Sequence, residues 1–354
     1  MTSAMAIPEL SLPLNITLFV VATAVVWFAG TRLVVFGDEL AERFGLAREF
    51  IGLIFLAVVT ELPEIVTTIT AAAAENAALV LGNMFGGVTM QTAILAVIDI
   101  FFVHRALTSW PRKPTHALEA VLLIILLNLL LLITFLGDWP VFGVIGAGSL
   151  SLFLAYPLSI GLLRRFDQRA SWAPIDVPET SAPAPGLVAR PVLEGWSHGR
   201  LVGQAAIAAL LILLAGYLTA DRADAIAEQT GLSASFVGIA FLAAATSMPE
   251  LSTAIAAARI GAYTMAISNI FGSNLIMLAL ILPADIIYAP GPILAEADAI
   301  AQFSIATGII VTAIYVAGLL IRTTPRLFGA GLDSLLVLAI YLSSLFVLCC
   351  LLPV

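Results

Sequence analysis

Long apolar runs separated by short polar gaps dominate this chain. A helix needs about 20 apolar residues, at 1.5 Å each, to cross roughly 30 Å of hydrocarbon. Barrel strands are shorter and alternate, so the runs predict helices. Ten runs can be placed: Leu14–Phe36, Phe50–Ala74, Ala77–Phe102, Leu118–Leu136, Val141–Leu163, Leu201–Leu218, Ser235–Ala258, Tyr263–Leu282, Gln302–Ile321 and Leu332–Leu352. The longest polar gap, Arg164 to Arg200, holds SWAPIDVPETSAPAPGLVARP, and its proline content marks a linker. The expected organisation is a five-span half at residues 1–163, a linker loop at 164–200 and a second five-span half at 201–354.

Composition strengthens this reading. Of 354 residues, 61% are hydrophobic and only 11% charged, whereas soluble domains carry about 25% charged residues. An ordinary soluble protein is excluded; an integral membrane protein with the lipid bilayer as its surroundings is expected, and no nucleic-acid partner. Monomer and homo-oligomer both stay open. Cys349 and Cys350 are adjacent, which gives no disulfide framework. MTSAMAIPEL has no basic stretch before the first apolar run, so a cleaved signal peptide is not expected.

The fifteen Lys and Arg residues are placed unevenly. With ten spans, Arg222 alone falls on the side of the termini, leaving fourteen on the other. Cytoplasmic loops carry the Lys/Arg excess. The expectation is an inner-membrane protein with both termini outside the cytoplasm and the central loop inside it.

The second run breaks its own pattern. VVTELPEIVTT, Val58 to Thr68, puts two glutamates and a proline at mid-depth. A partner lies 186 residues on: FIGLIFLAVVTELPEIVTTITAAAAENAALVLGNMFGG from Phe50 aligns without a gap with FVGIAFLAAATSMPELSTAIAAARIGAYTMAISNIFGS from Phe236. Thr60 meets Thr246, Pro63 meets Pro249, Glu64 meets Glu250, Asn83 meets Asn269 and Asp99 meets Asp285. An odd number of spans per half makes the second half enter the membrane from the opposite side. The predicted fold is therefore all-α, two inverted five-helix repeats with broken helices at the midplane, a layout common in secondary transporters.

Proline removes a helical hydrogen bond and kinks the helix. Such backbone is tolerated at this depth only against protein or a watery cavity. Residues three apart share a helix face, so Glu61 and Glu64 can point into one cavity with Thr60. The second half supplies Thr246, Ser247 and Glu250. Oxygen-only ligands suit hard cations such as Ca²⁺ and Na⁺. Two glutamates balance one divalent cation; without it they repel or take up protons. Charge at mid-bilayer costs at least roughly 2.5–3.5 kcal/mol per residue, which marks such positions as functional. The bland alternative is a protonated, hydrogen-bonded glutamate, and repetition in both halves argues against it.

LGNMFGG and ISNIFGS contain small residues that allow close helix approach, so packing and ion contact are both open for them. Asp99 and Asp285 are expected at membrane interfaces. His104, His116 and His198 fall in loops or span ends, with no metal role expected.

At these residues the chain resembles the calcium/cation antiporter superfamily, the sodium/calcium exchanger-like proteins. TSMPE at Thr246–Glu250 is similar to the core motif of that family without a mismatch, and TELPE at Thr60–Glu64 departs at one position. The resemblance implies ion ligation by Glu64 and Glu250, with Thr60, Thr246 and Ser247 around them. It also implies ligation by the carbonyls of Ala57 and Ala243 and by Ser273. Three places depart from the family pattern: Glu61 replaces a serine, Gly87 replaces a second ligating serine, and the pair Gln91 and Met277 replaces Asn or Asp. Glutamine still ligates hard cations; a thioether does so poorly.

The leading expectation is a secondary antiporter exchanging Ca²⁺ for Na⁺ or H⁺ by alternating access, with no cofactor beyond the transported ions. A cation/proton exchanger with little Ca²⁺ selectivity is an alternative, since Glu61 adds a carboxylate able to carry a proton. A cation channel is another. No enzyme is expected: the spans carry no serine-hydrolase motif, zinc-binding histidine pair or P-loop.

Overall fold

The structure, a computed structural model, describes residues 10–45, 51–103, 105–143, 145–169, 193, 195–230, 243–322, 325–327 and 330–350. Residues 170–192 of the expected linker, the first part of the seventh expected span and His104 lie outside the described residues. So do the side chains of Cys349 and Cys350.

Helices make up nearly all of the fold. In chain order they are α1 (Leu12–Phe44), a π-helical stretch (Ile51–Leu56) running into α2 (Ala57–Thr60), α3 (Leu62–Ala73), α4 (Ala77–Phe102) and α5 (Thr115–Leu136). Then follow α6 (Ala147–Arg169), α7 (His198–Thr230), α8 (Ala243–Thr246), α9 (Met248–Arg259), α10 (Tyr263–Ile287), α11 (Ala299–Ile321) and α12 (Leu332–Cys350). Two small antiparallel hairpins interrupt the series, β1 (Pro140–Phe142) with β2 (Ile145–Gly146), and β3 (Arg326–Leu327) with β4 (Ala330–Gly331). The first replaces the expected start of the fifth span at Val141. Pro140 lacks an N–H, and Gly143 has φ 79°, so helix begins only at Ala147.

Ten membrane-crossing helices were expected. Seven among the described residues are long and apolar enough: α1, α4, α5, α6, α7, α10 and α11. An eighth is a bent span, Leu53–Thr60 with Leu62–Ala73, the two parts meeting at 50°. The segment containing α8 and α9 is described only from Ala243 onward, and the apolar stretch Leu332–Leu348 of α12 is shorter than the rest.

Burial separates the helices by role. Of the apolar windows, 72% in α4 and 78% in α10 is buried, against 28% to 39% in α1, α5, α6 and α7. A helix that is apolar all round belongs in an interior. α4 and α10 pack on each other and on the two broken segments; α11 lies against α4 and α5, and α12 against α4 and α11. α1 and α7 form a long pair that leans on α9 and α3. Arg43 ties one end of that pair, donating to the carbonyls of Trp196 (2.7 Å) and Leu193 (3.1 Å). At the other end Arg222 donates to Asn15 (3.0 Å), which donates to Gln229 (3.2 Å).

Asp99 and Asp285, expected at membrane interfaces, lie within three residues of the ends of α4 and α10 and are fully buried in protein. Each holds two backbone segments. Asp99, near the end of α4, accepts from the N–H of Leu107 (2.5 Å) and of Gly331 in β4 (2.9 Å). Asp285, near the end of α10, accepts from the N–H of Ile293 (2.7 Å), the N–H of Gly146 in β2 (2.7 Å) and the Ser149 hydroxyl. The hairpins would otherwise bury unpaired N–H groups, which is costly. Each aspartate thus fastens a hairpin that lies more than a hundred residues away in the chain.

Candidate cation site

The two breaks are built alike. Pro63 and Pro249 occupy the first turns of α3 and α9, where a missing N–H costs no helical bond. The turn itself falls earlier, at Glu61 (ψ −4°) and Ser247 (ψ 7°). Each proline therefore starts a helix after the break. That places Glu64 and Glu250 in the first turns of α3 and α9, where the positive end of the helix dipole favours a carboxylate.

All ten residues expected in the site are buried: Ala57, Thr60, Glu61, Glu64, Gln91, Ala243, Thr246, Ser247, Glu250 and Ser273. The halves interleave. The hydroxyl of Thr246 lies beside Glu64, and that of Thr60 beside Glu250, while Glu64 and Glu250 are within electrostatic range of each other. Neither carboxyl oxygen of Glu64 or of Glu250 has a hydrogen-bond partner in bonding geometry among the described residues. Four buried carboxyl oxygens without donors are expensive for a protein to hold, unless something positive meets them.

Glu61 is placed differently. Its Oε1 accepts from Gln91 Nε2 at 2.7 Å, and Ser273 flanks the same carboxyl. Ser273 Oγ is also 3.5 Å from Thr60 Oγ1. The carbonyls of Ala57 and Ala243, implied as ligands, already accept backbone bonds from Glu61 (3.1 Å) and Ser247 (3.0 Å). Each also accepts a hydroxyl, Thr60 and Thr246 respectively, at 3.3 Å. Among the described residues no three His, Cys, Asp or Glu side chains converge as a resident metal centre. The oxygens here come from a mixed set of carboxylates, hydroxyls and an amide.

The glycine motifs serve close approach. A side chain on Gly272 would collide with the Leu53 carbonyl and with Ala57 Cβ, so α10 can lie against the π-helical stretch only with glycine there. Asn269 Nδ2 donates to Thr253 Oγ1 at 3.2 Å. Both side-chain polar atoms of Asn83 are buried without a partner among the described residues.

Two polar groupings were not foreseen. Asn274 Nδ2 donates to Thr92 Oγ1 (3.2 Å), joining α10 to α4 beside the site. His116, at the buried start of α5, lies 3.0 Å from Glu119, and Ser268 on α10 donates to Glu119 at 2.9 Å. Positions 186 residues away from these carry Leu278, Val88, Gln302, Ile305 and Gly82. The internal repeat was the signal that singled out polar residues, and of these only His116 has a polar mate, Gln302.

Comparison with known proteins agrees with this architecture. The family model described as Sodium/calcium exchanger protein matches residues 14–160 and 200–352. The inner membrane protein YrbG of Escherichia coli is 26% identical over 280 residues, covering 78% of this chain and 80% of its own. A relative named as an antiporter, CaxA of Alkalimonas amylolytica, is 28% identical over 289 residues, 79% of this chain and 83% of its own. The solved sodium-calcium exchanger NCX_Mj, soaked with Na⁺ and Sr²⁺, superposes with a TM-score of 0.69 over 95% of this chain and 99% of that one, at 18% identity. That likeness establishes the exchanger fold. The interleaved breaks belong to a transporter and not an enzyme, and the chain belongs to the sodium/calcium exchanger protein family.

Proposed function

We propose that this antiporter exchanges Ca²⁺ for Na⁺ or H⁺ at a site formed by Glu64 and Glu250, with Thr60, Thr246, Ser247, Ser273 and Gln91 around them. One observation carries the proposal: two fully buried glutamates, one at each break, whose carboxyl oxygens have no partner among the described residues. A divalent cation would balance both. Under this reading the chain has ten spans in two inverted halves, 1–163 and 201–354, joined by a cytoplasmic loop at 164–200, with both termini outside. The Lys/Arg asymmetry and the offset of 186 support it.

Alternating access has support in the packing of two glycines that the same offset relates. Gly30 on α1 abuts Ser252 and Thr253 of α9, whereas Gly216 on α7 abuts Pro63 of α3. The mates of Ser252 and Thr253 are Val66 and Thr67, about one helical turn beyond Pro63. The α1–α7 pair thus sits off-centre between the halves. Moving it by a turn would exchange the two sets of contacts, as opening to the other side requires.

A second reading, a cation/proton exchanger with little Ca²⁺ selectivity, draws on the Glu61–Gln91 hydrogen bond, which adds a carboxylate to the group. Proteoliposomes loaded with Ca²⁺ separate the two. An inward Na⁺ or H⁺ gradient, imposed one at a time, should release Ca²⁺. Release by neither gradient, with K⁺ or Na⁺ moving against H⁺ instead, would establish the second reading.

A further inference from the structure

The repeat gives the site two equivalent arms, and the structure fills them differently. On the first arm stand Thr60, Glu61, Gln91 and Ser273. Their mates at the offset of 186 are Thr246, Ser247, Met277 and Gly87. The first arm is polar throughout: Gln91 bonds Glu61, Ser273 flanks the same carboxyl, and Ser273 reaches Thr60. Two buried oxygens on this arm, Glu61 Oε2 and Gln91 Oε1, have no hydrogen-bond partner among the described residues.

The second arm keeps only the hydroxyls of Thr246 and Ser247. Gly87 offers no side-chain oxygen, and the thioether of Met277 is folded onto it. A Cβ placed on Gly87 would lie 2.6 Å from Met277 Cε and 3.3 Å from Sδ. Met277 is 1% exposed, so the thioether is buried where a side chain on Gly87 would lie. Ser247 Oγ remains buried without a partner among the described residues. Two hydroxyls, Thr246 and Ser247, beside a soft sulfur replace the hydration of a hard cation poorly, and with Ser247 at the position of Glu61 this arm adds no carboxylate of its own to compensate the charge.

We propose that Met277, seated on Gly87, plugs the second arm. A hard monovalent cation then binds on one arm only, at Thr60, Glu61, Gln91 and Ser273. The inference rests on the antiporter reading and specifies the ion capacity of that same site. It makes Met277 and Gly87 determinants of how many monovalent ions are exchanged, although neither residue touches an ion.

The test copies the first arm onto the second. Gly87→Ser and Met277→Gln give it the side chains of Ser273 and Gln91. ²²Na⁺ bound at equilibrium to detergent-purified protein is counted per chain, and the Na⁺ dependence of Ca²⁺ release from proteoliposomes is recorded. The double variant should bind one more Na⁺ than the parent and show a steeper Na⁺ dependence. Met277→Leu, which keeps the plug's bulk and removes its sulfur, should match the parent in both. The parent's own Na⁺ should be lost in Glu61→Ala. An unchanged count in a folded double variant, an altered count in Met277→Leu, or no Na⁺ on either parent or double variant would overturn the plug. Should the double variant not fold, Met277→Gln alone must raise the count. Failure of the antiporter reading looks different: neither gradient then releases Ca²⁺ from the parent, whatever the Na⁺ count.

Discussion

At the scale of single residues, Glu64 and Glu250 dominate. Removing one partner of a buried ionic pair costs about 3–5 kcal/mol, which at about 1.4 kcal/mol per tenfold is roughly a hundredfold or more in affinity. Glu64→Gln and Glu250→Gln should each lower Ca²⁺ affinity by at least that factor and nearly abolish transport. Thermal unfolding in detergent without Ca²⁺ should shift little or upward, because each variant relieves repulsion between two buried carboxyls. Ca²⁺ uptake near the parent rate in either variant would move the site elsewhere. These two residues could be found in the chain because charge in an apolar run is rare and because the repeat doubles it. Gly87 and Met277 were also legible, as departures from the family pattern, but the seating of one on the other was not, since nothing in an apolar run marks which helix face a methionine meets.

At the scale of elements, the breaks and the hairpins follow from local rules, but their fastening does not. Proline predicts a discontinuity; its place in the first turn of the following helix puts the bend before it, at Glu61 and Ser247. Asp99 and Asp285 are repeat mates like the glutamates, yet they hold backbone instead of facing the site. Asparagine has one acceptor oxygen where aspartate has two, so Asp99→Asn or Asp285→Asn leaves a hairpin or loop N–H unpaired. Each should lose about 1–3 kcal/mol of stability and lower the thermal midpoint, with Ca²⁺ affinity unchanged. Lost Ca²⁺ binding at an unchanged midpoint would return these aspartates to the ion site.

At the scale of the whole molecule, the proposed orientation rests on charge. With Cys349→Ser and Cys350→Ser as background, a cysteine at exposed Glu75, in the turn between α3 and α4, should react with a membrane-impermeant maleimide added outside intact cells. One at exposed Gln168, near the end of α6, should react only after the membrane is opened. Labelling of both from one side would remove the inverted arrangement, because three crossings, by α4, α5 and α6, put the two positions on opposite sides and an even number would not.

Local properties of the chain determine much of this protein. Hydropathy over about 20 residues marks the spans closely: the third was expected at Ala77–Phe102 and runs there, and the ninth ends at Ile321 as expected. Self-similarity at one offset marks the two breaks and their glutamates. What only the tertiary structure decided are the relations across long separations. Thr246 lies against Glu64 and Thr60 against Glu250; Gly331 hangs on Asp99 and Gly146 on Asp285. Asn274 meets Thr92, and Met277 covers Gly87. Hydropathy and helix-breaking act within a turn or a span and leave their mark on neighbouring residues. Hydrogen bonds and close contacts between α4 and α10 depend on how two nearly uniform apolar helices rotate and slide against each other. An apolar surface with no polar stripe carries no local mark of that choice.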